Sequence, residues 1–529
     1  MTTQTRFIRL AAAGACLVAL QAHAQFDPAK VKPQPPLVDA RFAPPSVVYD
    51  TPGFDAPQVG FTSYEQMMAR LQALEARPNV RLETVGTSDQ GRALPLVLLA
   101  HGARFDATKP TLMLVAQQHG NEPAPGEAIL VLLERWSTPE NAQLLRQLNV
   151  VALPNANPDG ATLFKRANGR DIDLNRDHLL LRTPEARALA KTATRFRPQV
   201  VLDMHEFTAG DRWVTRFGAW SKYDVLLQAA TTGNLNTGVY QAGMDDFLPA
   251  IRRAVVAEGL SESWYHTTTA DPKAPVAMGG VQPDTWRNIG GLRNAVSILH
   301  ETRGVGLGKQ NLARRVHAHV VAAEALVQRV AARGPELVTL AREADREVSA
   351  RACQGDIVVA AQQTPERREL ALVDAQTGAD RVEVVDWRSS LALQVTQTRP
   401  RPCGYWLAPT EARAVETLRA LGVRVRPLSS PRTVAIERYV FDTIEAAQRQ
   451  DGRGAIQEAG GIVKAQVSLQ AMRQRLPAGG WYVSLAQPLG GLVTAALEPD
   501  SQNSYVAARL IALPKPGDSD RLVRVMQRL

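Results

Sequence analysis

Short apolar runs alternate along the first part of the chain with stretches whose apolar residues recur at helical spacing. Strands are expected near 94–100 and at 111–116, 149–153, 199–204 and 294–300, and helices at 125–136, 183–195, 247–258 and 309–332. A helix start precedes them. Ser63 with Gln66 forms a capping box, Met67, Leu71 and Leu74 share one face, and Pro78 stops the pattern. Such alternation predicts an α/β fold, with a mixed and largely buried β-sheet sandwiched by helices. Past Gly334 the texture changes to alternating segments such as 381–387 and 423–426, with a short helix near 411–421. A smaller β-rich α+β domain should follow.

At 529 residues the chain is too long for one ordinary core. Four parts are expected: 1–24, 25–58, 59–335 and 336–529. Arg6 and Arg9 precede the apolar run 10–20, and Ala22 and Ala24 put small residues at a cleavage position, so 1–24 reads as a secretory signal peptide. It is too short to persist as a membrane anchor. Residues 25–58 are proline-rich and aperiodic, an extended leader lying over the domain surface. Beyond the leader the cysteines are Cys353 and Cys403, which an oxidising compartment should join in a disulfide.

The net charge is +9, but the arginines are scattered through helices and strands rather than gathered in a stripe, which argues against nucleic acid as a partner. The one long apolar run is the leader, so no integral membrane segment remains after its removal. An exported protein, periplasmic or secreted, is the expectation.

Chemistry gathers where the apolar runs end. His119 and Glu122 stand three residues apart just after 111–116, and 200–202 leads into Asp203, Met204 and His205. A borderline-soft zinc ion accepts such a mixture of nitrogen and oxygen donors, and a catalytic zinc needs three protein ligands and a water. An open α/β sheet brings residues just beyond the carboxyl ends of its strands into one crevice. His119, Glu122, His205 and Glu301 all occupy such positions. Three further segments accompany them: Asn157 to Gly160 after 150–153, Arg166 to Arg176, and Ser297 to Arg303.

In residue type and in order, this set resembles the zinc carboxypeptidases, the carboxypeptidase A-like family. The resemblance takes in Val85 to Arg92 and covers residues 60 to 330. Carboxypeptidase A is itself an example of a two-histidine, one-glutamate zinc site. By resemblance, His119, Glu122 and His205 would hold one Zn2+ per chain, and Glu301 would be the general base. Arg166 would face the developing oxyanion, with Arg170 as its competitor, while Asn175 and Arg176 would grip a terminal carboxylate. The implied substrate is a peptide with a free C-terminal carboxylate, and a cell-wall peptide suits an exported enzyme. Segments 404–409, 485–489 and 497–499 look like the C-terminal accessory region of large bacterial members.

The family's loop tyrosine is missing from its usual window before the catalytic glutamate. Trp286 stands in that window and the nearest tyrosine is Tyr265, so no phenol is assigned. His178, His266 and His300 receive no role either. Two other functions stay open. One is an N-acyl amino acid hydrolase of the aspartoacylase and succinylglutamate desuccinylase type, which shares the zinc ligands. The other is an inactive secreted relative that binds peptide or glycan, for which a full set of ligands, base and arginines has no chemical use.

Overall fold

The computed structural model describes residues 26, 28, 31–55, 58–456, 461–513 and 520–529, and the signal peptide expected at 1–24 lies outside them. Ten strands precede the change of texture: β1 (Val80–Thr87), β2 (Ala93–Leu99), β3 (Thr111–Val115), β4 (Asn149–Leu153), β5 (Val200–Thr208), β6 (Ala219–Ser221), β7 (Val225–Ala229), β8 (Glu262–Trp264), β9 (Val276–Ala277) and β10 (Val296–Val305). A central 8-stranded sheet has the order β1-β2-β4-β3-β5-β10-β7-β8. It is mixed: β3 runs parallel to β4 and β5, and β5 to β10, whereas β2 and β7 run against β4 and β10.

Residue alternation explains why both faces of this sheet are buried. Leu112, Leu114, Val200 and Leu202 point to one core, with the helices Ala124–Trp136 and Leu312–Ala332. Met113, Val115 and Val201 point to the other, with the helices Pro184–Phe196 and Trp286–Leu292. The helix Tyr64–Glu75 starts at Ser63 with both halves of the expected capping box formed.

The described part of the leader is anchored at intervals: Val38, Phe42 and Tyr49 are buried while Leu37 and Val48 stay exposed, and the Tyr49 hydroxyl lies 2.7 Å from His317 Nδ1. Two expectations change. The stretch 206–293, for which the apolar pattern predicts only the helix 247–258, contributes β7 and β8 to the central sheet. The region after Gly334 opens on the helix Gly334–Ala350 rather than on strands.

Ten more strands follow: β11 (Asp356–Asp374), β12 (Asp380–Pro400), β13 (Gly404–Leu407), β14 (Arg426–Pro427), β15 (Arg432–Ala447), β16 (Gln450–Asp451), β17 (Gly454–Ala455), β18 (Ile462–Leu476), β19 (Trp481–Ser484) and β20 (Leu522–Val525). The long β11-β12 hairpin pairs with β6 and β9 in a 4-stranded sheet, so strands of the 206–293 stretch and of the C-terminal region interleave. The second core is likewise shared, since Tyr405, Leu418 and Leu492 pack in it with Met113 and Trp286. A disulfide joins Cys353 to Cys403. No helix among the described residues is long and apolar enough to cross a membrane.

Candidate metal centre and its cleft

After β3 the chain turns at Gln117, whose φ of 49° lies in the left-handed region, and the turn delivers His119 and Glu122 to one side. Glycine is required at position 120, because a Cβ there would stand 1.9 Å from the Gly160 carbonyl carbon. The His119 turn therefore packs directly on the backbone of the helix Pro158–Thr162. Asn157 fastens the two: its Oδ1 accepts from Gly160 N at 2.9 Å, and its Nδ2 donates to Gln118 O at 3.0 Å. Asp159 ties the same helix to the 88–92 turn, accepting from Ser88 Oγ at 2.8 Å and from Arg92 Nη1 at 2.7 Å.

β5 supplies His205. Its Nδ1 lies 2.8 Å from Glu122 Oε2 and 3.1 Å from His119 Nδ1, which is itself 2.7 Å from Glu122 Oε1. All three residues are buried and their donor atoms lie within 4.8 Å of one another. The outer ring nitrogens face carboxylates: His119 Nε2 is 3.1 Å from Asp173 Oδ1, and His205 Nε2 is 2.8 Å from Asp203 Oδ1. Donating outward, both rings keep their Nδ1 lone pairs turned inward toward the Glu122 carboxylate. Three electron-pair donors then meet with no proton to share. Such a cluster is stable around a cation, and its two nitrogens and one carboxylate suit zinc.

β10 runs beside β5 with Glu301 in register with His205. Burial pushes the Glu301 carboxyl up to about 7. Arg166 reaches the same place: its Nε donates to Asp173 Oδ2 at 2.9 Å, and its Nη1 lies 3.5 Å from Glu122 Oε1. Arg170 turns outward and pairs with Asp89. Asn175 Oδ1 accepts from Trp286 N at 2.8 Å, and its Nδ2 stands 3.1 Å from His205 Nε2. Arg176 donates through Nη1 to Asn175 O at 2.7 Å and through Nη2 to Asp451 Oδ2 at 2.5 Å. His119, Glu122, Arg166, Asn175, Arg176 and Glu301 line one cavity of about 190 Å³, and His205 stands behind its wall against Asp203.

The structure adds residues the sequence pattern did not indicate. Asp203 and Asp173 fix the two rings. Tyr265 lines the cleft although it lies well before the expected window, and burial reinforced by the Glu301 charge holds its phenol up at about 12, so it stays protonated and able to donate. Asp451 and Arg453, from the turn between β16 and β17, also line the cleft. Arg287 is buried in its wall. His178 and His300 are buried with their rings held down near 3 by burial, neutral at ordinary pH, and neither faces the cavity.

Residues 64–210, which carry the His119 turn, the Asn157 cap, Arg166, Arg176 and His205, match the family described as zinc carboxypeptidase. The zinc carboxypeptidase match is confined to that segment, and with the carboxypeptidase relatives it makes the chain a metallocarboxypeptidase, a zinc hydrolase. Carboxypeptidase 2 of Trichophyton rubrum is 27% identical over 489 residues, covering 89% of this chain and 88% of its own. Carboxypeptidase 2 of Trichophyton tonsurans is 26% identical over 452 residues, covering 83% and 81%. Similarity to these relatives thus runs well past the matched family segment into the C-terminal region. A solved metallo-carboxypeptidase of Pseudomonas aeruginosa is 22% identical across 51% of this chain and 70% of its own, with a TM-score of 0.39, too low to bear on geometry.

Proposed function

We propose that this cleft removes the last residue of peptides, with Glu301 as general base, Arg166 as the partner of the oxyanion, and Asn175 and Arg176 as holders of the terminal carboxylate. The observation that carries the reading is the meeting, in one cavity, of the donor trio with Glu301 and the Arg166 and Arg176 guanidiniums. His119, Glu122 and His205 would hold the zinc, which would supply Lewis acidity and make water acidic enough to ionise near neutral pH.

Glu301 takes the proton of the attacking water and hands it to the departing amine nitrogen, a two-way duty for which a carboxyl raised toward neutrality is suited. Arg166, oriented by Asp173, presents its guanidinium where negative charge builds on the carbonyl oxygen. Arg176 offers a planar fork to the substrate's terminal carboxylate. A cleft of about 190 Å³ is small for a long peptide segment and suits one terminal residue.

Export belongs to the same proposal, supported by the leader signature at 1–24 and by the Cys353–Cys403 bridge. So do a bacterial origin of the type, a cell-wall peptide as substrate, and the division at 335 into a peptidase part and an accessory part, although the two long relatives named above are fungal.

The test is a pair of N-blocked dipeptides that differ only in a free or amidated C-terminus, offered to the zinc-loaded protein. Amidation leaves Arg176 facing a neutral group, and kcat/KM should fall by about a hundredfold or more. Arg176→Ala should narrow that gap. Equal cleavage of both substrates by the wild type ends the exopeptidase reading, and hydrolysis confined to N-acyl amino acids replaces it with the acylase.

A further inference from the structure

Five guanidiniums line the cleft, and four of them have their bonding accounted for. Arg166 pairs with Asp173, and Arg176 and Arg453 share Asp451, whose carboxylate stands 2.5 Å from the first and 2.9 Å from the second. Arg212 is held by the Thr268 carbonyl and is only partly buried. Arg287 differs from all of these. It is 4% exposed, so its charge has been taken out of water almost completely, yet among the described residues it forms no ion pair with any carboxylate. Its polar contacts are neutral: Nη2 donates to Gly280 O at 3.1 Å and Nε to Asn288 Oδ1 at 3.4 Å.

The chain makes room for this side chain. A Cβ at Gly279 would stand 2.8 Å from Arg287 Nη1 and 3.0 Å from Nη2, so the backbone there is flattened against the guanidinium and fixes its place in the wall. Nη1 forms none of the hydrogen bonds that hold the rest of the group. The charged groups around Arg287 are Asp203, Arg176 and Glu301, with the Tyr265 phenol beside them. Asp203 is taken up by His205 at 2.8 Å and by Gln118 at 2.5 Å, while Glu301 belongs to the reaction. Burial draws the Arg287 group down only to about 10, so it stays cationic at neutral pH.

A buried guanidinium without a counter-ion is costly, and an anion that completes it is bound strongly. The described residues supply none. We propose that Arg287 is the residue that reads the substrate's last side chain, and that it selects a C-terminal residue bearing an acidic side chain. Such a residue carries two carboxylates. The α-carboxylate answers Arg176, and the side-chain carboxylate reaches the unfilled donors of Arg287 in the same cavity. A hydrophobic last residue leaves Arg287 desolvated and unpaired, and a basic one adds repulsion. This selectivity rests on the carboxypeptidase reading above and narrows it to one substrate class.

The experiment compares the zinc-loaded full chain on N-blocked dipeptides ending in Glu, Gln, Leu and Lys, alongside binding of N-acetylglutamate and N-acetylglutamine followed by calorimetry. The Glu substrate should exceed its Gln isostere in kcat/KM by about tenfold or more, as expected of a charge-assisted contact in a desolvated site. N-acetylglutamate should bind more tightly by a similar factor. In Arg287→Gln both ratios should collapse toward unity, and in Arg287→Lys they should partly return, which keeps the test decisive if the Gln variant does not fold. A wild type that prefers Gln, Leu or Lys overturns the inference, as does an Arg287→Gln variant that keeps the Glu preference. If Arg287→Gln weakens all four substrates by one common factor, Arg287 holds the α-carboxylate instead, and the proposal falls while the exopeptidase stands. If no dipeptide is cleaved at its end, the carboxypeptidase reading fails by itself, and the calorimetric ratio still decides the role of Arg287.

Discussion

The guanidinium of Arg176 lies 2.5 Å from the carboxylate of Asp451, a residue 275 positions further along the chain. The side chains are 11% and 9% exposed, so this is a buried ion pair between the segment that follows the Asp173 turn and the turn that joins β16 to β17. Arg449 fastens the same turn by donating to Arg176 O at 2.6 Å. The C-terminal region therefore builds one wall of the cleft, and it does so with charge.

Removing one partner of a buried pair strands the other, at a cost of about 3–5 kcal/mol. Here Asp451 neutralises two neighbours, Arg176 and Arg453, so Asp451→Asn leaves like charges facing each other. We expect a stability loss of about 3 kcal/mol by urea unfolding, together with weaker binding of free-carboxylate substrates. A loss below about 1 kcal/mol, the range of exposed pairs, would show that the contact holds nothing together.

The metal can be probed through the groups that aim its ligands. His119→Ala and His205→Ala each remove a donor and should lose zinc outright. Asp203→Asn is the finer test, because it leaves all three donors and weakens only the acceptor that turns His205 Nδ1 inward. Zinc affinity, read by competition with a chelator, should drop about 10- to 100-fold. Unchanged affinity would mean that the ring orientation is set by packing alone.

Glu301→Gln keeps volume and hydrogen bonding but cannot accept a proton. Zinc content should persist while kcat falls by at least about a hundredfold. A carboxyl raised by burial must ionise before it serves as base, so wild-type activity should climb as pH rises through that titration, and the variant should lose this limb. Near-normal turnover in the variant would move the base elsewhere.

What the sequence disclosed of this site follows from where each residue sits. His119, His205 and Glu301 stand at or just past the ends of apolar runs, and a sheet buried on both faces makes such runs visible and their ends functional. Asp203 was in plain view beside His205, but which carboxylate meets which ring nitrogen depends on side-chain rotation that no spacing encodes. Tyr265 received no role because it stands outside the window the family resemblance implies, and β8, which it follows, is only three residues long and leaves no periodic signal to place it. Asp451 and Arg453 were beyond reach for a different reason. Their approach to Arg176 depends on how the C-terminal sheets seat against the central one, a relation set by shared core residues such as Met113 and Tyr405 rather than by any local pattern.

Glu185 offers a prediction in which the catalytic groups play no part. It lies in the first turn of the helix Pro184–Phe196, where the macrodipole favours a negative charge. Burial prevails: the residue is 1% exposed, its Oε1 has no partner, and its Oε2 accepts from Asn168 Nδ2 at 3.2 Å. Burial pushes this carboxyl up to about 7, with the Asp89 and Asp159 charges acting in the same direction. Below about pH 4 the group is protonated in both folded and unfolded chains and contributes nothing to pH dependence. As pH rises, the unfolded chain releases the proton first, so stability is drained between the ordinary carboxyl pKa and about 7. The full shift corresponds to about 3 kcal/mol. Glu185→Gln holds the neutral shape at every pH. Urea midpoints of the two proteins should lie close together at acid pH and separate toward pH 8, with the variant the more stable by up to about 3 kcal/mol. Zinc binding and the other carboxylates also make stability vary with pH, but they do so alike in both proteins and drop out of the difference. A gap that stays constant from pH 5 to pH 8 would mean that Glu185 titrates normally in the folded chain.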